Sequence, residues 1–162
     1  MVTRHAMEHA PSYADALSYI NTSKVLGPAY IILGGVQPGE GRVLTKGSKR
    51  NGHPFRDEGE TIDDWSLAHE LARTPPRAFL VQTNYDRLGP PPKFDNRRDP
   101  AIDCMEHHLG GPSGYSFEGL YNVLSARPNL NMLTTYTTLM HPRTGSLEAY
   151  RQACVGWQCP LV

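Results

Sequence analysis

The residues of this chain best suited to chemistry lie between Val81 and Arg98, VQTNYDRLGPPPKFDNRR. Here an amide (Asn84), a tyrosine (Tyr85), two carboxylates (Asp86 and Asp95) and three arginines (Arg87, Arg97 and Arg98) surround three consecutive prolines. An amide NH2 can donate to an oxyanion, and a guanidinium beside it can stabilise the same charge or orient a carboxylate. Pro90, Pro91 and Pro92 hold φ near about −65° and remove three backbone donors, so the segment is expected to be stiff. No nucleophile accompanies these groups: Cys104 falls in a predicted amphipathic helix, and Cys154 and Cys159 are spaced for a local disulfide. The plainer alternative for Asn84 and Arg97 is a structural network tying a loop to a sheet.

The elements around this segment must position it. The apolar run Ala78-Phe79-Leu80-Val81 predicts a short buried strand, with Gln82, Thr83 and Asn84 at its end. Upstream, Ser12 caps a predicted helix with Asp15 in its first turn, ending near Ser23. Ala29–Leu33 and Arg42–Thr45 flank a Gly-rich stretch and predict a β-hairpin with a long turn. Lys46 to Pro76 is polar and rich in Gly and Pro, which predicts a surface excursion with at most a short strand or helix. Downstream, Asp99-Pro100 marks a helix start, with Asp99 as cap and Ile102, Met105 and Leu109 at helical spacing. Ser116 caps a further helix that Pro128 ends; Met132–Met140 and Leu147–Tyr150 predict strands. Grouped in this way, the elements imply an α+β sandwich rather than a doubly wound sheet.

At 162 residues the chain fits one domain. Its 16 basic residues balance 16 acidic ones and are scattered, so no case for nucleic-acid binding arises. The longest apolar stretch, Ala29–Leu33, is too short to cross a bilayer. His5-Ala6-Met7-Glu8-His9 fits the H-x-x-E-H spacing of inverted zinc proteases, but it lies at the start of the chain without an evident third ligand, and a solvated helix end is the favoured reading. His107 and His108 close a predicted helix, where they suit its dipole. No dinucleotide, phosphate-loop or nucleophile-elbow motif is present, and no cofactor is expected. The start of the chain, read literally, is cytosolic, and it equally suits a piece of a secreted precursor. Asn21-Thr22-Ser23 is a glycosylation sequon, and Cys104 is left odd: a partner for another chain if oxidised, a small hydrophobe if not. Together these features favour secretion or a lysosome.

Five segments, PAYIILGG from Pro28, Gly39-Glu40-Gly41, VQTNYDR from Val81, Asp95-Asn96-Arg97-Arg98 and Tyr136-Thr137-Thr138-Leu139, resemble the β-subunits of the acid ceramidase family across nearly the whole chain. N-acylethanolamine acid amidases share most of these motifs, and the Gly156-Trp157 tail between Cys154 and Cys159 is more similar to the ceramidase branch. Both groups are N-terminal nucleophile hydrolases of the choloylglycine hydrolase type. The resemblance implies an αββα sandwich of two antiparallel sheets between helices, incomplete here, with residues 1–162 the C-terminal part of one catalytic domain and an insertion at 46–76. It implies hydrolysis of the ceramide amide to fatty acid and sphingosine. Asn84 takes the oxyanion position and Arg97 that of the active-site arginine, although Asn96 replaces the second acid of the family's Asp-Asp-Arg-Arg. The attacking cysteine, whose own α-amino group serves as base, has no counterpart in this chain, so the fragment alone is expected to be inactive. The resemblance also pairs Cys154 with Cys159 and Cys104 with an α-subunit of the same precursor, and it implies transient contact with a membrane surface or an activator protein. The alternatives are an N-acylethanolamine amidase and a truncated, non-catalytic lipid-binding remnant.

Overall fold

A computed structural model describes residues 1–47, 59–109 and 112–153. The chain forms two compact units, Met1–Leu80 and Val81–Val162.

The first unit runs α1 (Val2–His9), α2 (Tyr13–Thr22), β1 (Ala29–Gly34), β2 (Gly41–Gly47), β3 (Glu60–Ser66) and α3 (Leu67–Leu71). Ser12 caps α2 as its sequence predicts, accepting a hydrogen bond from the Asp15 backbone N–H at 3.2 Å. The three strands form an antiparallel sheet with β2 in the centre. The expected hairpin is present, with Ile31 opposite Leu44 and Gly34 opposite Gly41. Its turn closes through Gly35 N–H to the Glu40 carbonyl at 2.8 Å, and Gly39 supplies the positive φ of 81° that a residue with a Cβ would adopt only with strain. Ala6, Ile20, Ile31 and Leu44 form the core, with Ala16, Leu17 and Val25 packed against it. Val43 and its cross-strand partner Trp65 are also buried, so β2 is covered on both faces.

Two expectations fail in this unit. Lys46 to Pro76 is no mere excursion: Lys46 and Gly47 complete β2, and Glu60–Ser66 is a full strand paired along it. Its alternation places Trp65 inward and Ile62 and Asp64 outward, but three acidic residues hide a strand that only the neighbouring ladder stabilises. Conversely, Ala78–Val81 forms no strand; the buried Phe79 accounts for its apolar character through packing, under the Arg77 guanidinium 5.3 Å from its ring.

The second unit runs α4 (Arg98–Asp103), a π-helical turn (Cys104–His108), a 3-10 turn (Pro112–Gly114), α5 (Phe117–Ser125), β4 (Tyr136–His141) and β5 (Ser146–Arg151). Ser116 caps α5 through the Gly119 N–H at 3.1 Å. The first helix begins one residue before its expected cap. Asn96, not Asp99, accepts the free N–H: its Oδ1 takes the Asp99 N–H at 3.2 Å while its Nδ2 donates to the Asp99 carboxylate at 2.9 Å. β4 starts at Tyr136 rather than Met132, because Asn131 folds the preceding residues into a turn. β4 and β5 pair antiparallel, Tyr136 with Arg151 through His141 with Ser146. Two antiparallel sheets and several helices make the chain α+β.

Candidate active site

The loop from Gln82 to Arg97 is held by side chains that reach its backbone. The Gln82 amide donates to the Thr83 and Tyr85 carbonyls at 2.7 and 3.0 Å. Arg98 donates to the carbonyls of Asp86, Arg87 and Gly89 at 3.2, 3.1 and 2.7 Å, and its guanidinium lies 5.3 Å from the centre of the Tyr85 ring. The Tyr85 hydroxyl in turn accepts the Arg98 N–H at 3.2 Å. These contacts, added to the prolines, make the loop a rigid mount.

On this mount the structure brings Asn84 and Arg97 together. Asp95 is 4% exposed and accepts from Arg97 Nε at 2.6 Å and Nη2 at 3.0 Å. Arg97 Nη2 also donates to the Asn84 Oδ1. A guanidinium has only donors, so this bond settles which end of the Asn84 amide faces it. The Asn84 NH2 is consequently turned away from Arg97, with no acceptor among the described residues.

Asn84 and Arg97 line an open cleft of about 410 Å³ together with Asn131, Leu133, Thr134 and Tyr136. A second cleft of about 410 Å³ shares Arg97, Thr134 and Tyr136 and extends along Gln82, Thr83 and Leu124. At its wall the Thr83 hydroxyl is buried without a hydrogen-bond partner among the described residues. The cleft beside Asn84 is lined by amides, hydroxyls and a guanidinium, with no cysteine, histidine or lysine among the described residues. It can therefore stabilise negative charge on an oxygen.

The remaining sequence candidates lie apart from this arrangement. Cys104 opens the π-helical turn, half-buried and without a disulfide among the described residues. Cys154 and Cys159 fall outside the described residues. Asn21 sits in the last turn of α2 with an exposed side chain, while its carbonyl accepts from Lys46 Nζ and Thr61 Oγ1, both at 3.0 Å. His5 and His9 stack at 4.2 Å, and Glu8 is paired with Arg4. Among the described residues no group of three or more His, Cys, Asp or Glu could hold a metal ion. His107 and His108 close the π-helical turn, each beside Asp103. Sequence reasoning missed Asn131, whose only signal is a turn-type Asn three residues before Thr134.

The α+β scaffold thus holds an amide and an arginine together at an open cleft. No family model matches the chain. Acid ceramidases of Pan troglodytes and Homo sapiens are each 40% identical to it over 160 residues, which cover 96% of this chain and 36% of theirs. That of Mus musculus is 36% identical over the same coverage. The chain is thus a homologue of the acid ceramidases along almost all of its length, and it spans about a third of the length of these relatives.

Proposed function

We propose that this chain contributes the oxyanion side of an amidohydrolase that cleaves ceramide to a fatty acid and sphingosine. The observation that carries this reading is the pairing of Asn84: Arg97 binds its carbonyl oxygen and so leaves the NH2 of this cleft-lining residue as a donor. As the amide carbonyl of the substrate becomes tetrahedral, its oxygen gains charge, and a donor fixed beforehand stabilises that charge without reorganising. Arg97 acts on the same site, held by two bonds to a buried carboxylate.

In this reading the attacking cysteine comes from polypeptide outside these residues, and the chain by itself does not turn over substrate. Both units belong to one catalytic domain with the αββα layering of the N-terminal nucleophile hydrolases. Cys104 pairs with a cysteine of a companion subunit, and the protein works in a lysosomal or secreted, acidic setting.

The test is to express the full-length natural polypeptide that carries these residues and assay ceramide and N-acylethanolamines side by side. Hydrolysis of ceramide with the higher kcat/KM is expected, and Asn84→Ala should lower kcat by about 10²–10³. Preference for N-acylethanolamines would move the assignment to the related amidases. No hydrolysis of either lipid, or an Asn84→Ala variant with normal kcat, would remove the proposal.

A further inference from the structure

The cleft holds a second amide in the same posture as Asn84. Asn131 is 3% exposed, yet it lines the cleft with Asn84 and Arg97. Its Oδ1 accepts from the Leu133 backbone N–H at 2.9 Å and from the Thr134 hydroxyl at 3.4 Å. A backbone N–H can only donate, so the oxygen end of the amide is identified by its partner. The Nδ2 end donates to nothing among the described residues, and it is not among the sealed, unpaired atoms of the protein. A buried amide normally pairs both ends, because leaving one unmade costs free energy. Here the residue that carries the open end lines a cleft.

We propose that Asn131 is a substrate-binding residue whose NH2 donates to an acceptor oxygen of an N-acyl lipid, a head-group hydroxyl or the ground-state amide carbonyl. The assignment rests on the amidohydrolase reading above. It differs from Asn84 in kind: Asn84 sits beside the cationic Arg97 and serves the charge that develops in the transition state, whereas Asn131 is anchored by the neutral Asn131–Thr134 turn. The Thr134 hydroxyl in turn accepts the Asn131 N–H at 3.2 Å, and the Thr134 N–H donates to the Asn131 carbonyl at 3.1 Å. That closed turn gives the donor a fixed direction.

Asn131→Asp separates the two ends of the side chain. It keeps an oxygen for Leu133 N–H and Thr134, and Asp is as acceptable as Asn in such a turn, but it replaces the NH2 by a second acceptor. In the full-length natural polypeptide we expect KM for ceramide to rise about tenfold, with kcat changed by less than about threefold and the melting temperature maintained. Lowering the assay pH protonates the new carboxyl and restores a donor, so the KM defect should shrink towards acid. Asn131→Ala removes turn and donor together and should lower the melting temperature as well. A KM for Asn131→Asp within twofold of wild type, or a defect that tracks a lowered melting temperature and ignores pH, overturns the role of Asn131 while leaving the function standing. If the wild-type polypeptide hydrolyses no N-acyl lipid, both fall.

Discussion

The two units bury polar groups in opposite ways. In the first, the two buried charged side chains among the described residues find partners. Lys46 is 1% exposed and its ammonium donates to the carbonyls of Asn21 and Ser23 at 3.0 and 2.7 Å, at the end of α2 where the helix dipole welcomes a cation. Glu70 is 5% exposed and accepts from Trp65 Nε1 at 2.9 Å and Arg73 Nη1 at 2.6 Å. In the second unit, the buried Asn131 spends its oxygen and keeps its NH2, as the exposed Asn84 does beside Arg97. Burial of a polar side chain therefore does not by itself mark a site. A buried donor left over beside a cleft, as at Asn131, is the stronger mark, because structure alone gives no reason to tolerate it.

The largest effect that would break this contrast comes from Asp95. Asp95→Asn removes the charge that holds Arg97 while conserving shape, so Arg97 loses its fixed hold on the Asn84 carbonyl. If Asp95 positions the oxyanion donors, kcat for ceramide in the full-length natural polypeptide should fall by about 10²-fold with KM nearly unchanged, since the loss is felt in the transition state. A normal kcat, or a loss confined to stability, would make the Asp95–Arg97 pair a structural network like those of the first unit.

Glu70 supplies the opposite expectation. Glu70→Ala strips the acceptor from Trp65 and from Arg73, whose own side chain is about half exposed. The cost should be about 2–3 kcal/mol of stability, less than for a fully buried pair because Arg73 can turn to water. Denaturant titration measures it, and kcat of the folded fraction should stay at the wild-type value. A kinetic defect without a stability defect would show that the first unit also carries part of the site.

What could be read from the residue order follows from where each signal resides. Local signals held: Ser12 and Ser116 cap the helices they precede, and the apolar pattern Ala29–Leu33 pairs with Arg42–Thr45 in the expected hairpin. Signals that depend on a neighbour failed. β3 exists because β2 lies beside it, despite Glu60, Asp63 and Asp64. Ala78–Val81 has strand composition but no strand to pair with among the described residues. The site divides along the same line. Asn84 and Arg97 stand out through the dense loop they share and the family resemblance of their motifs, whereas Asn131 is an ordinary turn residue until the fold places it on the cleft.

Lys46→Met is a smaller test of the closed networks. It keeps most of the apolar stem and removes the ammonium, ending the desolvation of a buried charge but taking the side-chain donor from the Ser23 carbonyl and leaving the Asn21 carbonyl with Thr61 Oγ1. These terms oppose each other, and a net loss of about 1–2 kcal/mol is expected, at the low end for a hydrogen-bonded charge. A gain in stability would mean that Lys46 is present for something other than holding α2, and would move it from the structural side of the comparison to the functional one.

The smallest effect concerns acid, the condition under which the proposed enzyme would work. Burial raises the pKa of Glu70, but hydrogen bonds from Trp65 and Arg73 together with the charges of Arg73 and Arg77 outweigh it and leave the carboxyl below its ordinary 4.5. A carboxylate depressed in the folded state contributes stability that is complete above its unfolded value and is lost as pH falls through the folded one. Lys46 works at the other limit: burial lowers its pKa from 10.5, so its stability contribution rises as pH climbs from the folded value towards the unfolded one. Denaturation midpoints of wild type and Glu70→Gln should therefore converge below pH 4.5, because protonation removes the very charge that the substitution removes. If the two curves instead stay parallel through the acid range, the Glu70 network is not held by its charge. Glu70 would then act through hydrogen bonding and packing beside Trp65, not through its carboxylate charge.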